Sequence, residues 1–212
     1  MKTLMLWPCC SAKDGVRATG EDGASIETFL SPQDGMMLAE GRNEELNPFG
    51  ATTLRALDFY SGYLYQINGF RAAVNGVLAQ DFHPVILSAA YGLIRANEPI
   101  QAYDREMKDA IATWQPIVPT VLANYLQRNS IQRAFFTFGR TTPYRRLLFG
   151  RRRGAWAPRF VHPGCQIFAC FPFYEGGGVP LREVPKMQGE AVRDLIQNNF
   201  EPDDRWVDCG IG

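Results

Sequence analysis

The sequence predicts an α/β fold: a single domain spanning residues 1–212, with a mixed or mostly parallel central sheet, helices on both faces and a ligand cleft at the carboxyl ends of the strands. Apolar runs of strand length alternate along the chain with segments whose apolar residues recur at helical spacing. The chain has 212 residues, 46% hydrophobic and 21% charged, which suits one compact domain. Small or polar residues follow three of the runs, at 9–13, 88–91 and 139–142, and ligands of such folds collect beyond these strand ends.

The first half of the chain predicts two strands and three helices. Residues 1–8 form an apolar run that a proline closes, and they predict the first strand. The stretch that follows is rich in Gly, Asp, Glu and Asn and predicts loop, apart from a short helix over 32–39. Apolar residues at helical spacing over 52–80 predict two helices, which Asn68 and the next glycine separate. The run PVILSA at 84–89 predicts the second strand.

The middle of the chain predicts a broken helix, a strand and a short helix. The pattern over 106–128 is helical, but Pro116 and Pro119 are expected to break it into two pieces because proline cannot donate to the helix ladder. The run AFFTFG at 134–139 predicts a buried strand that ends in glycine. Residues 142–149 predict a helix with a proline in its first turn, a position that proline favours.

The last part of the chain predicts two more strands and a final helix. The strands are expected near 159–161 and over 166–171, and the helix over 189–200. The glycine run at 175–178 lacks the strand-to-helix setting of a phosphate-binding loop and predicts a turn. Residues 201–212 are acidic and predict a flexible tail.

Charge, cysteine usage and hydropathy predict a cytoplasmic protein. The 22 basic and 22 acidic residues balance, so the net charge does not indicate a polyanionic partner. Five cysteines, an odd number at low density, indicate reduced thiols. The apolar N-terminal stretch is too short for a signal peptide, and no window approaches the roughly 20 apolar residues that a membrane span needs.

The cysteines and histidines do not predict a metal site. His162 with Cys165 and Cys170 lacks the paired Cys-x-x-Cys spacing of a structural zinc site. Cys9 and Cys10 follow the first strand; one of them can act as a nucleophile, although buried free thiols are commoner than reactive ones. We therefore expect no metal, and hydrolysis of an N-glycosidic bond, the reaction considered below, requires no cofactor.

Three segments of the first half resemble the motif blocks of the YaaA-like proteins, a bacterial peroxide-stress group. In chain order they are SAK at 11–13, ALDFYSGYLYQI at 56–67 and ILSAAYGLIRANEPIQAYDREM at 86–107. The third block is the specific one. Stress-protein members carry Arg where this chain has Asp104, and a related group of uncharacterised proteins has Tyr-Asp there. The chain therefore resembles a divergent or sister member.

This resemblance implies DNA binding and a fold with features reminiscent of DNA glycosylases. It also implies that Ser11 and Lys13 contact phosphate or sugar. The resemblance covers about the first half of the chain, so it does not explain the arginine-rich half.

Asp104 and Glu106 are the candidate catalytic carboxylates. Cleavage of a base from a sugar passes through an oxocarbenium-like state, which a carboxylate stabilises or which it helps water to attack. Both acids follow a turn expected at 100–103, and this turn can place one of them under a bound sugar. Asp104 is the leading candidate and Glu106 the second. The alternative is that Asp104 caps the helix that follows.

The other candidate pocket residues come from the same loops. Lys13 can hold a phosphate or, if desolvated, attack an abasic sugar to form a Schiff base; the alternative is an exposed surface lysine. Tyr91 and Tyr103 are predicted to stack on an extruded base. Ser11 and Ser88 are predicted to contact sugar or phosphate.

Seven arginines within twenty residues give a local excess of positive charge. They are Arg140, Arg145, Arg146, Arg151, Arg152, Arg153 and Arg159. Guanidinium groups bind phosphates in a bidentate manner, and neighbouring aromatic rings offer stacking to unpaired bases. The five arginines from Arg145 to Arg153 are predicted to hold the DNA backbone, and Arg140 to reach the pocket. The alternative is a solvated turn.

Together these residues predict a DNA glycosylase that excises a damaged or modified base, in repair of oxidative damage or in phage defence. Its partner is DNA, duplex or single-stranded. Two alternatives stay open: a non-catalytic DNA-binding protein of stress protection, and a soluble nucleoside or nucleotide hydrolase in which the arginines are incidental. No membrane and no obligate protein partner is predicted.

Overall fold

The computed structural model of the chain describes residues 1–13, 22–78, 81–139, 142–149, 164–170 and 183–209, except for the side chains of 49–52. The strands are β1 (Thr3–Pro8), β2 (Pro48–Arg55), β3 (Phe82–Ser88), β4 (Gly92–Arg95), β5 (Pro99–Tyr103), β6 (Arg133–Thr137), β7 (Gln166–Cys170) and β8 (Val207–Asp208). The helices are α1 (Pro32–Glu45), α2 (Ala56–Phe59), α3 (Phe70–Val77), α4 (Met107–Arg128), α5 (Pro143–Phe149) and α6 (Val184–Gln197), with a 3-10 helix at Ile26–Phe29.

The central sheet has six strands in the order β4-β3-β1-β6-β7-β8. The four middle strands are parallel, whereas β4 and β8 pair antiparallel at the two edges. β2 and β5 form a separate antiparallel pair. The predicted α/β class with a mixed, mostly parallel sheet is confirmed, and β1, β3, β6, β7 and α5 lie where the apolar pattern predicts them. α6 overlaps the helix predicted over 189–200 but begins five residues earlier, at Val184.

Helices cover both faces of the central sheet. Successive side chains of a strand point to opposite sides, and the strands bury side chains on both. Trp7 of β1 contacts Phe70 of α3 edge to face, with ring centroids 5.7 Å apart. His83 of β3 points to the opposite face, where its Nδ1 lies 2.7 Å from the Tyr125 hydroxyl of α4. The buried core therefore lies in two layers, one on each side of the sheet.

The prediction of the first of the two helices over 52–80 is wrong. Residues 48–55 form β2, and only the single helical turn α2 follows before the chain reaches α3. Local spacing could not reveal this strand, because β2 is stabilised by pairing with β5, which lies much later in the chain. The turn expected at 100–103 is likewise wrong, since these residues belong to β5.

α4 is unbroken over its 22 residues, so the predicted break is wrong. Both prolines lie away from the buried side of the helix: Pro116 is exposed and Pro119 half-buried. Each leaves one carbonyl without an amide partner, four residues earlier, at Ala112 and Gln115. Both positions are exposed, so water can satisfy these carbonyls and the helix continues.

α1 extends further than the helix predicted over 32–39, because its second half packs closely on α4. Gly41 makes this approach possible: a Cβ at this position would lie 2.4 Å from the ring of Trp114. The buried carboxylate of Glu45 also ties the helix down by accepting a hydrogen bond from the Thr113 hydroxyl.

The acidic segment 201–209 is part of the fold rather than a flexible tail. β8 pairs with β7, and the neighbouring Trp206 packs edge to face on Phe135 with ring centroids 5.3 Å apart. Trp206 is only 6% exposed, so the tail contributes to the core.

The strand expected near 159–161 and the turn expected at 175–178 lie outside the described residues. Within the described ranges, no helix combines the length and the apolar character that crossing a membrane requires.

Candidate functional site

The central sheet has a topological switch point between β1 and β6. From β1 the next strand of the sheet is β3, on one side, whereas from β6 it is β7, on the other. Connections that leave two neighbouring parallel strands in opposite directions open a crevice at the carboxyl ends, and ligands of open α/β sheets bind there. The crevice lies between the residues that follow Pro8 and those that follow Thr137.

A cavity of about 680 Å³ lies at this crevice, and we call it the large cavity. Its described lining comes from the loop after β1, a turn before α3, the β6–α5 connection and the first turns of α6. These residues are Pro8, Cys9, Cys10, Ser11, Ala12, Gly62, Tyr63, Leu64, Tyr65, Gln66, Gly139, Thr142, Tyr144, Val184, Pro185 and Gln188. The volume and the mostly apolar, aromatic wall are typical of small-molecule sites, which have about 300–1,000 Å³.

The loop after β1 is fixed by hydrogen bonds to the turn that precedes α3. The Cys10 thiol donates to the carbonyl of Ala12 at 3.0 Å and accepts from the amide of Gly62 at 3.2 Å. The amide of Ser61 donates to the same Ala12 carbonyl. Burial raises the pKa of Cys10 to about 11, so this thiol stays protonated and holds the loop rather than acting as a nucleophile.

A contact between Cys9 and Tyr144 joins the same loop to α5. The Cys9 Sγ lies 3.0 Å from the Tyr144 hydroxyl. Burial, followed by the nearby Cys9, raises the pKa of Tyr144 well above its ordinary value, so the hydroxyl is protonated and can donate to the sulfur.

A second cavity of about 360 Å³, the small cavity, borders this contact. Its described lining is Cys9, Cys10, Ser11, Arg105, Glu106, Met107, Lys108, Pro143 and Tyr144. Cys9, Cys10, Ser11 and Tyr144 line both cavities. The two cavities are therefore neighbours: one has a mainly apolar, aromatic wall and the other carries charged groups.

Of the two candidate carboxylates, Glu106 lines the small cavity and Asp104 lines neither cavity. The Oε2 of Glu106 lies 2.8 Å from Nζ of Lys108. The hydrogen bond and the charge of Lys108 lower the pKa of Glu106, to which the charge of Lys13 also contributes. Glu106 is thus a carboxylate anion at neutral pH.

Asp104 does not cap α4 either. The residue at the N-cap is Glu106, whose side chain makes no capping hydrogen bond. Asp104 itself is exposed on the short link between β5 and the helix. Neither the capping role nor a place on the cavity wall therefore fits Asp104.

Ser88 and Tyr103 lie in the interior instead of on a cavity wall. The Tyr103 hydroxyl lies 2.7 Å from that of Tyr60 and 3.0 Å from the Ser88 Oγ, which also accepts from the Tyr91 amide. Ser88 is fully buried and Tyr103 is 1% exposed. The predicted contacts to sugar and base do not fit this position. β4 folds back antiparallel on β3, and the residues between the two strands are buried.

Tyr91 has a comparable structural role. Its hydroxyl accepts from the Gln101 amide at 3.0 Å and donates to the Gln101 carbonyl at 3.3 Å. The side chain is 8% exposed and lines neither cavity. It ties the turn after β3 to β5, a position that does not fit the predicted stacking on an extruded base.

Lys13 covers the ring of Tyr103. Its Nζ lies 4.2 Å from the ring centroid and donates to the carbonyl of Arg105 at 3.1 Å. A cation over an aromatic face is attracted by the ring quadrupole. Lys13 lines neither cavity, so this arrangement gives no support to a Schiff-base role.

The predicted arginines are divided by burial. Arg146 on α5 is exposed and available to a phosphate, whereas Arg145 is only 7% exposed, so its side chain does not face solvent as a backbone-binding residue does. Arg140, Arg151, Arg152 and Arg153 lie outside the described residues.

The large cavity is also lined by residues that no sequence pattern indicated. Gln188, Val184 and Pro185 come from α6, and Tyr63 comes from the turn before α3. No spacing connects these residues to the loop after β1, because they meet only through the tertiary fold. The one available signal was the strand order, which itself depends on the three-dimensional structure.

No cluster of three or more His, Cys, Asp or Glu side chains suited to a metal ion occurs among the described residues. No protein-family model matches the chain, and no curated protein matches it. The resemblance to the YaaA-like proteins therefore stays a prediction.

Proposed function

We propose that the protein is an N-glycosidase that hydrolyses the bond between a nucleobase and its sugar, with DNA as the substrate. The observation that carries the proposal is the pairing of the two cavities, one apolar and aromatic, the other with an ionised carboxylate, at the switch point of the sheet. A nucleoside unit has the same two parts, a flat base and a polar sugar joined by the bond that breaks.

The large cavity suits the base. Leu64, Tyr65 and Val184 give it an apolar wall, and Tyr63, which is 47% exposed, adds an aromatic ring at its accessible side. Flat bases bury well against such surfaces. The sugar then lies at the shared wall, where Ser11 is exposed and its hydroxyl is available.

The small cavity supplies the charge. An oxocarbenium-like sugar is stabilised by a nearby carboxylate, which can also take a proton from the attacking water. Glu106 fits this role because it lines the small cavity, and Lys108, which lowers its pKa, keeps it in the anionic form that stabilises a sugar cation. We therefore assign the carboxylate to Glu106 in place of the predicted Asp104.

DNA is favoured over a free nucleoside by the cations near the small cavity. Its described lining contains Arg105 and Lys108, and the Lys108 side chain is 64% exposed. Exposed cations hold phosphates and make affinity fall with salt. The pairing of Lys108 with Glu106 leaves its other hydrogens free to face a phosphate.

The test is base release from DNA. Genomic DNAs with different natural modifications are incubated with the protein, and released bases are identified by mass spectrometry and abasic sites by alkali cleavage. Wild type and Asp104→Asn are expected to release the same base, and Glu106→Gln to release far less while its DNA affinity is kept. Asp104 is the matched control because it is an exposed acid two residues away that lines neither cavity.

Two results would replace the proposal. Release from free nucleosides, without salt-dependent affinity for DNA, would favour a nucleoside hydrolase. Salt-dependent DNA binding with no base released from any substrate would favour a non-catalytic DNA-binding protein.

A further inference from the structure

We propose that Gln188 selects the substrate by donating a hydrogen bond to an acceptor atom on the edge of the base in the large cavity. The inference rests on the proposed function for the identity of the ligand. It adds to that function a specificity-determining residue and the kind of base that the cavity accepts.

The first observation is an amide without a partner. Gln188 lines the large cavity and is 3% exposed, yet its Nε2 has no hydrogen-bond partner among the described residues. A buried donor left unsatisfied costs about 1–3 kcal/mol, and buried polar groups are nearly always paired. A ligand that brings an acceptor into the cavity removes this cost.

The second observation is that the backbone holds Gln188 in place. The next residue, Gly189, lies so close to the turn before α3 that a Cβ there would be 2.5 Å from the Leu64 carbonyl oxygen. Leu64 itself lines the cavity. α6 is thus held directly against the cavity wall, and a donor on a fixed helix discriminates between ligands better than one on a mobile loop.

The third observation is the contrast with Gln66, the other glutamine of the lining. The Nε2 of Gln66 donates to the Ser61 carbonyl at 2.7 Å, so its amide is already used within the protein. Gln188 is the glutamine of the described lining whose amide donor has no partner among the described residues.

The chemistry of a side-chain amide defines the class of base. Nε2 donates, and the carbonyl oxygen beside it accepts, so the amide pairs with an edge that carries an acceptor ring nitrogen next to an amino group. Glutamine pairs with adenine at N6 and N7 in this way. A site built around such a bond rejects an analogue that lacks the acceptor, because the amide is then left unpaired.

The test compares bases with analogues that lack one ring nitrogen. Binding of adenine, guanine and cytosine, and of 1-deazaadenine, 7-deazaadenine, 3-deazaguanine and 3-deazacytosine, is measured by titration calorimetry on wild type, Gln188→Met and Gln66→Met. Methionine keeps the length of the side chain and removes the amide. Wild type and Gln66→Met are expected to bind at least one base about 10- to 100-fold more tightly than its deaza analogue, from the cost of an unpaired buried donor. Gln188→Met is expected to bind the two equally.

Three results would overturn the proposal: no base bound by wild type, equal binding of bases and analogues by wild type, or a preference that persists in Gln188→Met. Thermal unfolding checks that the variant folds, and its Tm is expected to equal or exceed that of wild type because an unpaired buried donor is removed. Base-release assays separate the two claims. Discrimination by Gln188 without base release leaves this inference standing and refutes the glycosidase, whereas release with unchanged selectivity in Gln188→Met does the reverse.

Discussion

Removal of the Tyr103 hydroxyl tests whether the hydrogen-bonded cluster of Tyr60, Ser88 and Tyr103 supports the structure around the site. Tyr103→Phe keeps the ring and removes the oxygen that lies 2.7 Å from the Tyr60 hydroxyl and 3.0 Å from the Ser88 Oγ. These two hydroxyls remain 3.3 Å from each other, so each keeps a partner. The expected loss is that of two net hydrogen bonds, about 1–3 kcal/mol in the free energy of unfolding.

Urea unfolding followed by circular dichroism measures this loss by linear extrapolation at an unchanged m value. Tyr63→Phe is the control, since Tyr63 is 47% exposed, and its free energy of unfolding is expected to stay within about 0.5 kcal/mol of wild type. A double-mutant cycle with Ser88→Ala should give a coupling energy of about 0.5–3 kcal/mol. A loss below about 0.5 kcal/mol in Tyr103→Phe, together with zero coupling, would refute the structural role.

Three further predictions concern stability. Burial lowers the pKa of His83 from 6.5 to about 4, so the unfolded chain binds a proton that the folded chain does not. The free energy of unfolding should therefore fall by about 3 kcal/mol as pH drops from 6.5 to 4, and less in His83→Gln, as urea unfolding at each pH will show. Gly62→Ala would place a Cβ 2.8 Å from the Cys10 Sγ and should lower the free energy of unfolding by about 1–3 kcal/mol. Gly76→Ala, with open space around it in α3, should raise it by about 0.5–1 kcal/mol. Thermal unfolding that ranks the two variants the other way would contradict the packing. Trp206→Ala should cost about 3–5 kcal/mol in urea unfolding, while no loss would mean that 201–209 does not pack on the sheet.

The parallel core of the fold could be predicted from the sequence because its strands are buried on both faces. β1, β3 and β6 read as nearly continuous apolar runs, which local pattern recognises. β2 could not be predicted, because its stability comes from β5. α4 continues through two prolines because the carbonyls that lose their amide partners are exposed and can bond to water. Their exposure depends on how the helix packs in the fold, which the local sequence does not reveal.

The candidate site was predictable in its position and much less in its residues. Residues 9–12 of the first predicted loop, and Gly139 and Thr142 of the third, line the large cavity, since these loops leave β1 and β6 at the switch point. The loop at 88–91 does not, because β4 folds back on β3 and buries it. Gln188 lies far along the chain on α6 and carries no local signal of its place in the cavity.

The single-turnover rate of base release by Glu106→Gln and Asp104→Asn, on the modified DNA that wild type cleaves, tests the central claim most directly. A carboxylate that activates water or stabilises the sugar cation is worth about 10²- to 10⁴-fold in rate. Glu106→Gln is expected to lose that factor with unchanged DNA affinity, and Asp104→Asn to release the base at the wild-type rate. A full rate in Glu106→Gln, or an equal loss in both variants, would contradict the assignment of the carboxylate and of the small cavity as the site where the bond breaks.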